Sequence, residues 1–182
     1  MIWEDLDAHL DKVPGTVSAY VGRPGARPTW TRRADATHYA ASTMKVAVLV
    51  ALHRAAEAGR LDLDTPVPVR NSFDSALPGA PRFTNARDYD NDEAVWERVG
   101  GVAPLRWLAE RMIVRSSNLA TNICIGQVGL PAVAQAWALA GARHSVTGRG
   151  IEDFVARDAG VDNLVTAADL AALLGELALG AT

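Results

Sequence analysis

The feature that most constrains the fold is a stretch of strong helix formers from Ser42 to Ala58. Its side chains are apolar nearly all round the helix, which is typical of a helix buried on every side. Gly59 follows at the place where a glycine commonly ends a helix. A buried helix needs other elements packed round it, and 182 residues suffice for one sizeable core. We therefore predict a single core organised around a central helix over residues 42–58.

The elements on either side of this helix predict an α+β fold. Two β-branched and aromatic segments, at residues 16–21 and 28–32, flank a turn at residues 22–25 and predict a hairpin. Periodic segments predict further helices over residues 3–10, 104–114, 119–128, 130–140 and 166–179. The last of these helices opens with a Thr166-to-Asp169 capping box. Residues 71–92 and 144–159 show no periodicity and are expected to be irregular.

Charge and hydropathy exclude several kinds of partner. The formal net charge is −3 and the pI is near 5.8, so neither nucleic acid nor an anionic membrane is an expected partner. The longest apolar run, residues 44–52, is broken by Lys45 and falls far short of the roughly 20 residues that span a bilayer. No secretory leader is visible at the N-terminus. We expect a cytoplasmic protein, with a removed leader left open.

Metal ions and organic cofactors are not expected either. The four histidines are scattered and show no ligand spacing with one another, with carboxylates or with Cys124. The single cysteine lies between two isoleucines, which favours a buried apolar role over a reactive thiol. No glycine-rich loop joins a strand to a helix as a phosphate-binding loop would.

The central helix begins with Ser42-Thr43-Met44-Lys45, an S-x-x-K pattern. The spacing places the serine and lysine side chains on one helix face, where an amine can take the proton of a hydroxyl. Burial would lower the pKa of Lys45 toward neutrality. Lys45 is one of only two lysines among 18 basic residues, and arginine cannot serve as a base. The same pattern also fits an N-cap serine with a lysine one turn inside the helix.

A second polar segment, Arg115 to Asn118, lies between two predicted helices. The Ser116 hydroxyl and the Asn118 amide are two residues apart and can face one cleft. Such a pair could relay a proton to a leaving group and hydrogen-bond a substrate amide. A capping serine at the start of the following helix is the structural alternative.

The two motifs together, S-x-x-K followed by S-x-N, resemble the signature of class A β-lactamases and penicillin-binding proteins. The order of the surrounding elements is similar as well: a hairpin, the S-x-x-K helix, Gly59 to Leu63, Ser116 to Asn122 and the helix after Thr166. The resemblance spans roughly Thr16 to the C-terminus. It implies a β-lactamase/transpeptidase-like α/β fold, with a helical lobe beside an antiparallel sheet.

The resemblance also implies roles for individual residues. Ser42 would attack a carbonyl carbon, Lys45 would accept its proton, and Ser116 would serve the leaving group, so that an acyl-enzyme forms. Asn118 would bind substrate. Glu152 lies where class A enzymes carry the glutamate that activates the deacylating water, although the flanking residues differ from the usual loop.

Two departures from the family pattern matter. Ser117 replaces the aspartate of the S-D-N motif, which weakens the case for antibiotic hydrolysis in particular. No K-T-G or K-S-G motif follows Asn118, and the family places that motif on a C-terminal strand of its sheet. We therefore expect residues 1–41 to form the N-terminal helix and hairpin of the sheet lobe. Residues 42–182 would form a mostly helical lobe. A complementing C-terminal chain or self-association would complete the sheet, and the isolated chain would be catalytically impaired.

Three functions are consistent with these motifs. The first is an active-site-serine hydrolase or acyltransferase that acts on a small amide, β-lactam or ester. The second is a cytosolic esterase or transacylase without β-lactam activity, favoured by the absence of a visible leader and by Ser117. The third is a non-catalytic ligand-binding or sensor domain, favoured by the absent third motif. A covalent adduct on Ser42 separates the first two functions from the third.

Overall fold

The computed structural model describes residues 2–180. Its helices are α1 (Ile2–Leu10), α2 (Lys45–Glu57), α3 (Glu93–Trp96), α4 (Leu105–Val114), α5 (Asn118–Val128), α6 (Leu130–Leu139), α7 (Phe154–Asp158) and α8 (Ala167–Leu179). Short 3₁₀ helices cover Ala41–Met44 and Arg87–Tyr89. The strands are β1 (Ala19–Val21), β2 (Trp30–Arg32), β3 (His38–Tyr39), β4 (Pro66–Pro68), β5 (Val102–Pro104), β6 (Val146–Thr147) and β7 (Asn163–Val165).

The centre of the core is α2, as the sequence predicts. It packs against α4, α5 and α6, and its Val48 and Leu52 are fully buried. Leu108 of α4 and Leu119 of α5 belong to the same apolar cluster. Each such side chain contributes about 1.5–3 kcal/mol through burial. The helix ends as expected, because Gly59 adopts a φ of +67°.

The strands form three small antiparallel sheets. β1 and β2 make the predicted hairpin, with Ala19 opposite Arg32, although both strands are shorter than predicted. β4 pairs with β5, and β7 pairs with both β3 and β6. Only Ala40 separates β3 from the 3₁₀ helix that carries Ser42. The pairing of β3 with β7 therefore fixes where α2 begins relative to residues 146–165.

The sequence prediction was wrong for part of residues 144–159. This stretch was expected to be irregular, but it contains β6 and α7. Each element has five residues or fewer, which is too short for a periodic pattern to develop. The same expectation is confirmed for residues 71–92, where the described structure is irregular apart from one isolated bridge, between Phe73 and Phe83, and one 3₁₀ turn.

The capping box that opens α8 is present in half of its usual form. The Thr166 side chain accepts a hydrogen bond from the Asp169 N–H at 3.0 Å, as predicted. The Asp169 carboxylate does not return to Thr166, because it accepts hydrogen bonds from the N–H groups of Arg143, His144 and Ser145 instead. Asp169 therefore ties α8 to the turn that precedes β6.

Two expectations from the sequence stay predictions. The first is the division into residues 1–41 and residues 42–182; in the structure α8 of the second part packs directly on β1 of the first. The second is the further chain that would complete the sheet. Within residues 2–180, β1 pairs only with β2, so its second edge has no strand partner.

None of the helices in the described part of the chain combines the length and apolarity needed to cross a bilayer.

Candidate active site

Ser42 lies in the 3₁₀ helix Ala41–Met44, which leads directly into α2. Residues three apart are eclipsed in a 3₁₀ helix, so Ser42 and Lys45 share one side of the chain. Ser42 is exposed, and the preceding residue, Ala41, adopts a left-handed φ of +46°. Left-handed backbone at a residue other than glycine is costly and is found more often at functional sites than elsewhere.

Lys45, at the first position of α2, is 2% exposed. Its ammonium donates three hydrogen bonds, to the Ser116 carbonyl at 2.7 Å, to Ser116 Oγ at 3.0 Å and to Asn118 Oδ1 at 3.0 Å. Burial lowers the pKa of Lys45 from its ordinary value of 10.5 to about 8, while the negative charge of Asp90 acts in the opposite direction. A substantial fraction of this amine is therefore neutral in mildly basic solution.

The link between the amine and Ser42 runs through Ser116. Ser42 Oγ lies 2.8 Å from Ser116 Oγ, which in turn lies 3.0 Å from Lys45 Nζ. Within residues 2–180 no hydrogen bond joins Lys45 directly to Ser42, whereas the sequence prediction has the amine acting on Ser42 itself. The three groups form a chain along which a proton can pass from one hydroxyl to the other and on to the amine.

The segment that carries Ser116 and Asn118 is held by Asp90. The Asp90 carboxylate accepts hydrogen bonds from Ser117 Oγ at 3.1 Å and from the Leu119 N–H at 2.8 Å. Ser117 is the N-cap of α5 and accepts from the Ala120 N–H, so the capping role lies with Ser117 and leaves Ser116 free to face Ser42. Ser116 has a φ of +57°, a second left-handed residue in the site.

Glu152 has a left-handed φ of +70° and is 9% exposed. Its two carboxylate oxygens accept hydrogen bonds from Asn85 Nδ2 at 2.9 Å and from the Ala86 N–H at 2.7 Å. In the described structure no hydrogen bond connects Glu152 to Ser42 or Lys45. Glu152 and Asn118 nevertheless line one open cleft of about 510 Å³, together with Tyr39, Tyr89, Arg149, Ile151, Phe154, Arg157 and Asp162.

Asn122 holds the Glu152 segment against α5. Its side chain donates to the Ile151 carbonyl at 2.8 Å and to Asn85 Oδ1 at 2.9 Å, and it accepts from the Ile151 N–H at 2.8 Å. Sequence reasoning assigned no role to Asn122, Asn85 or Asp90. The signal available for Asn122 was a single amide side chain within the mostly apolar run 119–125 of α5. Asn85 and Asp90 lie in a stretch rich in asparagine and aspartate, where neither stands out.

The thiol of Cys124 makes no contact that the structure describes with Ser42, Lys45, Ser116, Asn118 or Glu152. It is fully buried in α5, and burial raises its pKa to about 12. A thiol in such surroundings stays protonated and unreactive. The prediction of a buried apolar role for Cys124 is therefore confirmed.

Comparison with solved structures gives the class of fold. The structure resembles a β-lactamase from Sphaerobacter thermophilus DSM 20745 with a TM-score of 0.74 and 26% identity, covering 98% of this chain and 63% of that one. It resembles PBP-A with a TM-score of 0.73 and 21% identity, covering 97% of this chain and 61% of that one. The fold is therefore β-lactamase-like, as predicted.

Sequence comparison gives the family. The model of the Beta-lactamase enzyme family matches residues 1–182. A β-lactamase from Rhodobacter capsulatus is 32% identical over 132 residues, which cover 70% of this chain and 40% of that protein. The chain belongs to the β-lactamase enzyme family, and it spans less than two thirds of the length of each of these three relatives.

Proposed function

We propose that this chain carries the acylation site of a serine hydrolase or acyltransferase, with Ser42 as the nucleophile. The substrate is a small β-lactam, or a related amide or ester, whose carbonyl carbon forms a bond to Ser42 Oγ. The Ser42 proton passes through Ser116 to Lys45, and the leaving group is protonated by the same chain in reverse. Asn118 positions the substrate while it holds the amine.

The observation that supports this proposal most strongly is the buried, low-pKa amine of Lys45. A lysine kept only for its charge would be expected at the surface, because burying an ammonium is unfavourable. Here a 2% exposed ammonium has no carboxylate within ion-pairing distance among the described residues, and its three acceptors are uncharged oxygens. Burial without a paired carboxylate favours loss of the proton, which suits a base better than a ligand-binding cation.

We assign the second half of the reaction to Glu152. It lines the same cleft as Asn118, whose side chain contacts Lys45, and we infer that a water held in this cleft by the Glu152 carboxylate attacks the acylated Ser42. Asn85 and Ala86 bind one lone pair on each carboxylate oxygen and fix its orientation. A carboxylate oxygen can accept a further hydrogen bond, so these contacts leave room for water.

Intact-protein mass spectrometry tests the proposal. After incubation with benzylpenicillin, the chain is expected to gain the mass of the antibiotic, with the added mass on the peptide that contains Ser42. Ser42→Ala should show no adduct. Ser72→Ala, which removes another exposed serine, should show the same adduct as the unchanged chain. Glu152→Gln should acquire the adduct at the usual rate and lose it about 10²–10⁴ times more slowly.

The other outcomes separate the remaining functions. If Ser42 reacts with a fluorophosphonate but not with benzylpenicillin, the proposed substrate would be an ester and not a β-lactam. A chain that is folded by circular dichroism and reacts with neither reagent would contradict the proposal and favour the binding-only alternative. Equal adduct lifetimes in Glu152→Gln and the unchanged chain would remove Glu152 from the reaction.

A further inference from the structure

A second cavity lies on α5, lined by none of the candidate site residues Ser42, Lys45, Ser116, Asn118 and Glu152. It has a volume of about 390 Å³ and lies between α5 and residues 68–83. Cavities of this size hold small organic molecules. Much of its lining comes from residues 70–83, in the irregular stretch after β4, to which neither the fold prediction nor the proposed function assigns a role.

The apolar part of the cavity lining is partly aromatic, and it lies beside polar residues that include Ser72, Asp74 and Gln127. Phe73 and Phe83 face each other across their backbone bridge, with ring centroids 5.5 Å apart and a tilt of 40°. Ile123 and Ile125 of α5 and Leu130 complete the apolar lining. Neither phenylalanine is fully buried, so an occupant that covered these rings would remove apolar surface from water.

The rim of the cavity is cationic. Arg82 is paired with Asp74 at 2.5 Å and also contacts Ser72, so its charge is neutralised. Arg70 also lines the cavity and is exposed, and it has no hydrogen bond or ion pair within residues 2–180. Among the charged residues that line the cavity, Arg82 and Asp74 pair with each other, so the positive charge of Arg70 is left unpaired. It complements a ligand with one negative group at the end of an apolar body.

One wall of the cavity is shared with the Glu152 segment. Gly150 lies so close to Phe83 that a Cβ atom at residue 150 would approach Phe83 Cζ to 2.7 Å. Only glycine allows the ring to lie against the backbone in this way. Asn122, which binds both backbone groups of Ile151, lines the cavity as well. An occupant would thus touch the residues that position Glu152 without entering the candidate active site.

We propose that this cavity is a binding site for a small aromatic anion, such as an aryl carboxylate or sulfonate. The aromatic body packs on Phe73 and Phe83, and the anionic group pairs with Arg70. The proposal does not depend on the reaction proposed for Ser42.

Fluorescence titration with two matched probes tests this site. The probes are 8-anilinonaphthalene-1-sulfonate and its uncharged analogue N-phenyl-1-naphthylamine, which share the aromatic body and differ in the sulfonate. The anionic probe is expected to bind about two- to fivefold more tightly, as one ion pair at an exposed arginine implies. Arg70→Gln should abolish this difference and leave binding of the neutral probe unchanged.

A cavity-filling variant locates the probe. Gly126 lines the cavity, and a Cβ atom there would meet no atom within 4 Å, so Gly126→Phe extends into open space. It should weaken binding of both probes by at least about tenfold, whereas Gly126→Ala should bind them as the unchanged chain does. Circular dichroism of each variant checks folding. Equal binding of the anionic probe to the unchanged chain, to folded Gly126→Phe and to Arg70→Gln would overturn the proposal. So would a folded chain that binds neither probe.

Discussion

Replacing Lys45 by methionine is expected to slow acylation of Ser42 by about 10²–10⁴, the usual contribution of a general base. Methionine matches the length and apolar stem of lysine, so the buried site stays filled, but no group remains to accept the proton relayed by Ser116. The effect is measured as the rate of adduct formation with benzylpenicillin, which mass spectrometry monitors over time.

Lys45→Arg is the informative companion to this variant. Arginine keeps a positive charge and can donate to Ser116 and Asn118, but it does not lose its proton at any accessible pH. If Lys45 acts as a base, Lys45→Arg should be as slow as Lys45→Met. An arginine variant that acylates at the rate of the unchanged chain would show that only the charge is needed. Ser116→Ala should be slow as well, because Ser116 Oγ is the only described contact between the amine and Ser42.

The second large effect concerns stability. Asp169→Ala is expected to lower the free energy of unfolding by about 1–3 kcal/mol, since it removes the acceptor of three partly buried backbone donors. Asp169 is 4% exposed and accepts hydrogen bonds from three backbone N–H groups, at Arg143, His144 and Ser145. Alanine leaves all three without an acceptor. Urea denaturation measures the loss, and Asp158→Ala, which removes an exposed carboxylate, should change stability by less than about 0.5 kcal/mol.

The same contacts give this carboxylate a pH dependence of known sign. Burial raises the pKa of Asp169, but the backbone hydrogen bonds outweigh burial and leave its pKa below 3.8. The folded state therefore binds this proton less tightly than the unfolded state. The stability that Asp169 contributes is complete above the unfolded pKa and falls as the pH drops through the folded value. A loss of stability in Asp169→Ala no greater than that in Asp158→Ala would contradict this account.

Much of the helical framework could be predicted because its signals are local. The central helix is apolar on nearly every face and ends at Gly59, and α8 begins with a Thr166 cap, so neither prediction needed information from elsewhere in the chain. Like β1 and β2, the strands β3, β6 and β7 have only two or three residues, but no short turn joins them to a partner, so they were missed. Their pairing depends on residues far apart in sequence, and no periodic pattern can form over so few positions.

In the candidate site, too, the residues set by local motifs could be predicted and the contacts between them could not. Ser42, Lys45, Ser116 and Asn118 could be selected because two short motifs fix their spacing, and the structure brings all four together. Their connectivity could not be predicted, because it depends on a left-handed backbone at Ser116 that directs its hydroxyl to both partners. The supporting contacts from Asp90 arise from tertiary packing of an irregular segment against the start of α5, which sequence spacing does not encode.

The proposed reaction depends on Lys45 being a desolvated amine, and titration of Lys45 tests this most directly. The chain has two lysines, so labelling lysine with ¹³C at Cε gives two NMR signals, and Lys45→Met identifies which belongs to Lys45. The exposed Lys12 supplies a reference signal in the same sample. We expect the Lys45 signal to titrate with a pKa of about 8. A pKa for Lys45 near its ordinary value of 10.5 would contradict the account, because almost none of the amine would then be neutral even in mildly basic solution.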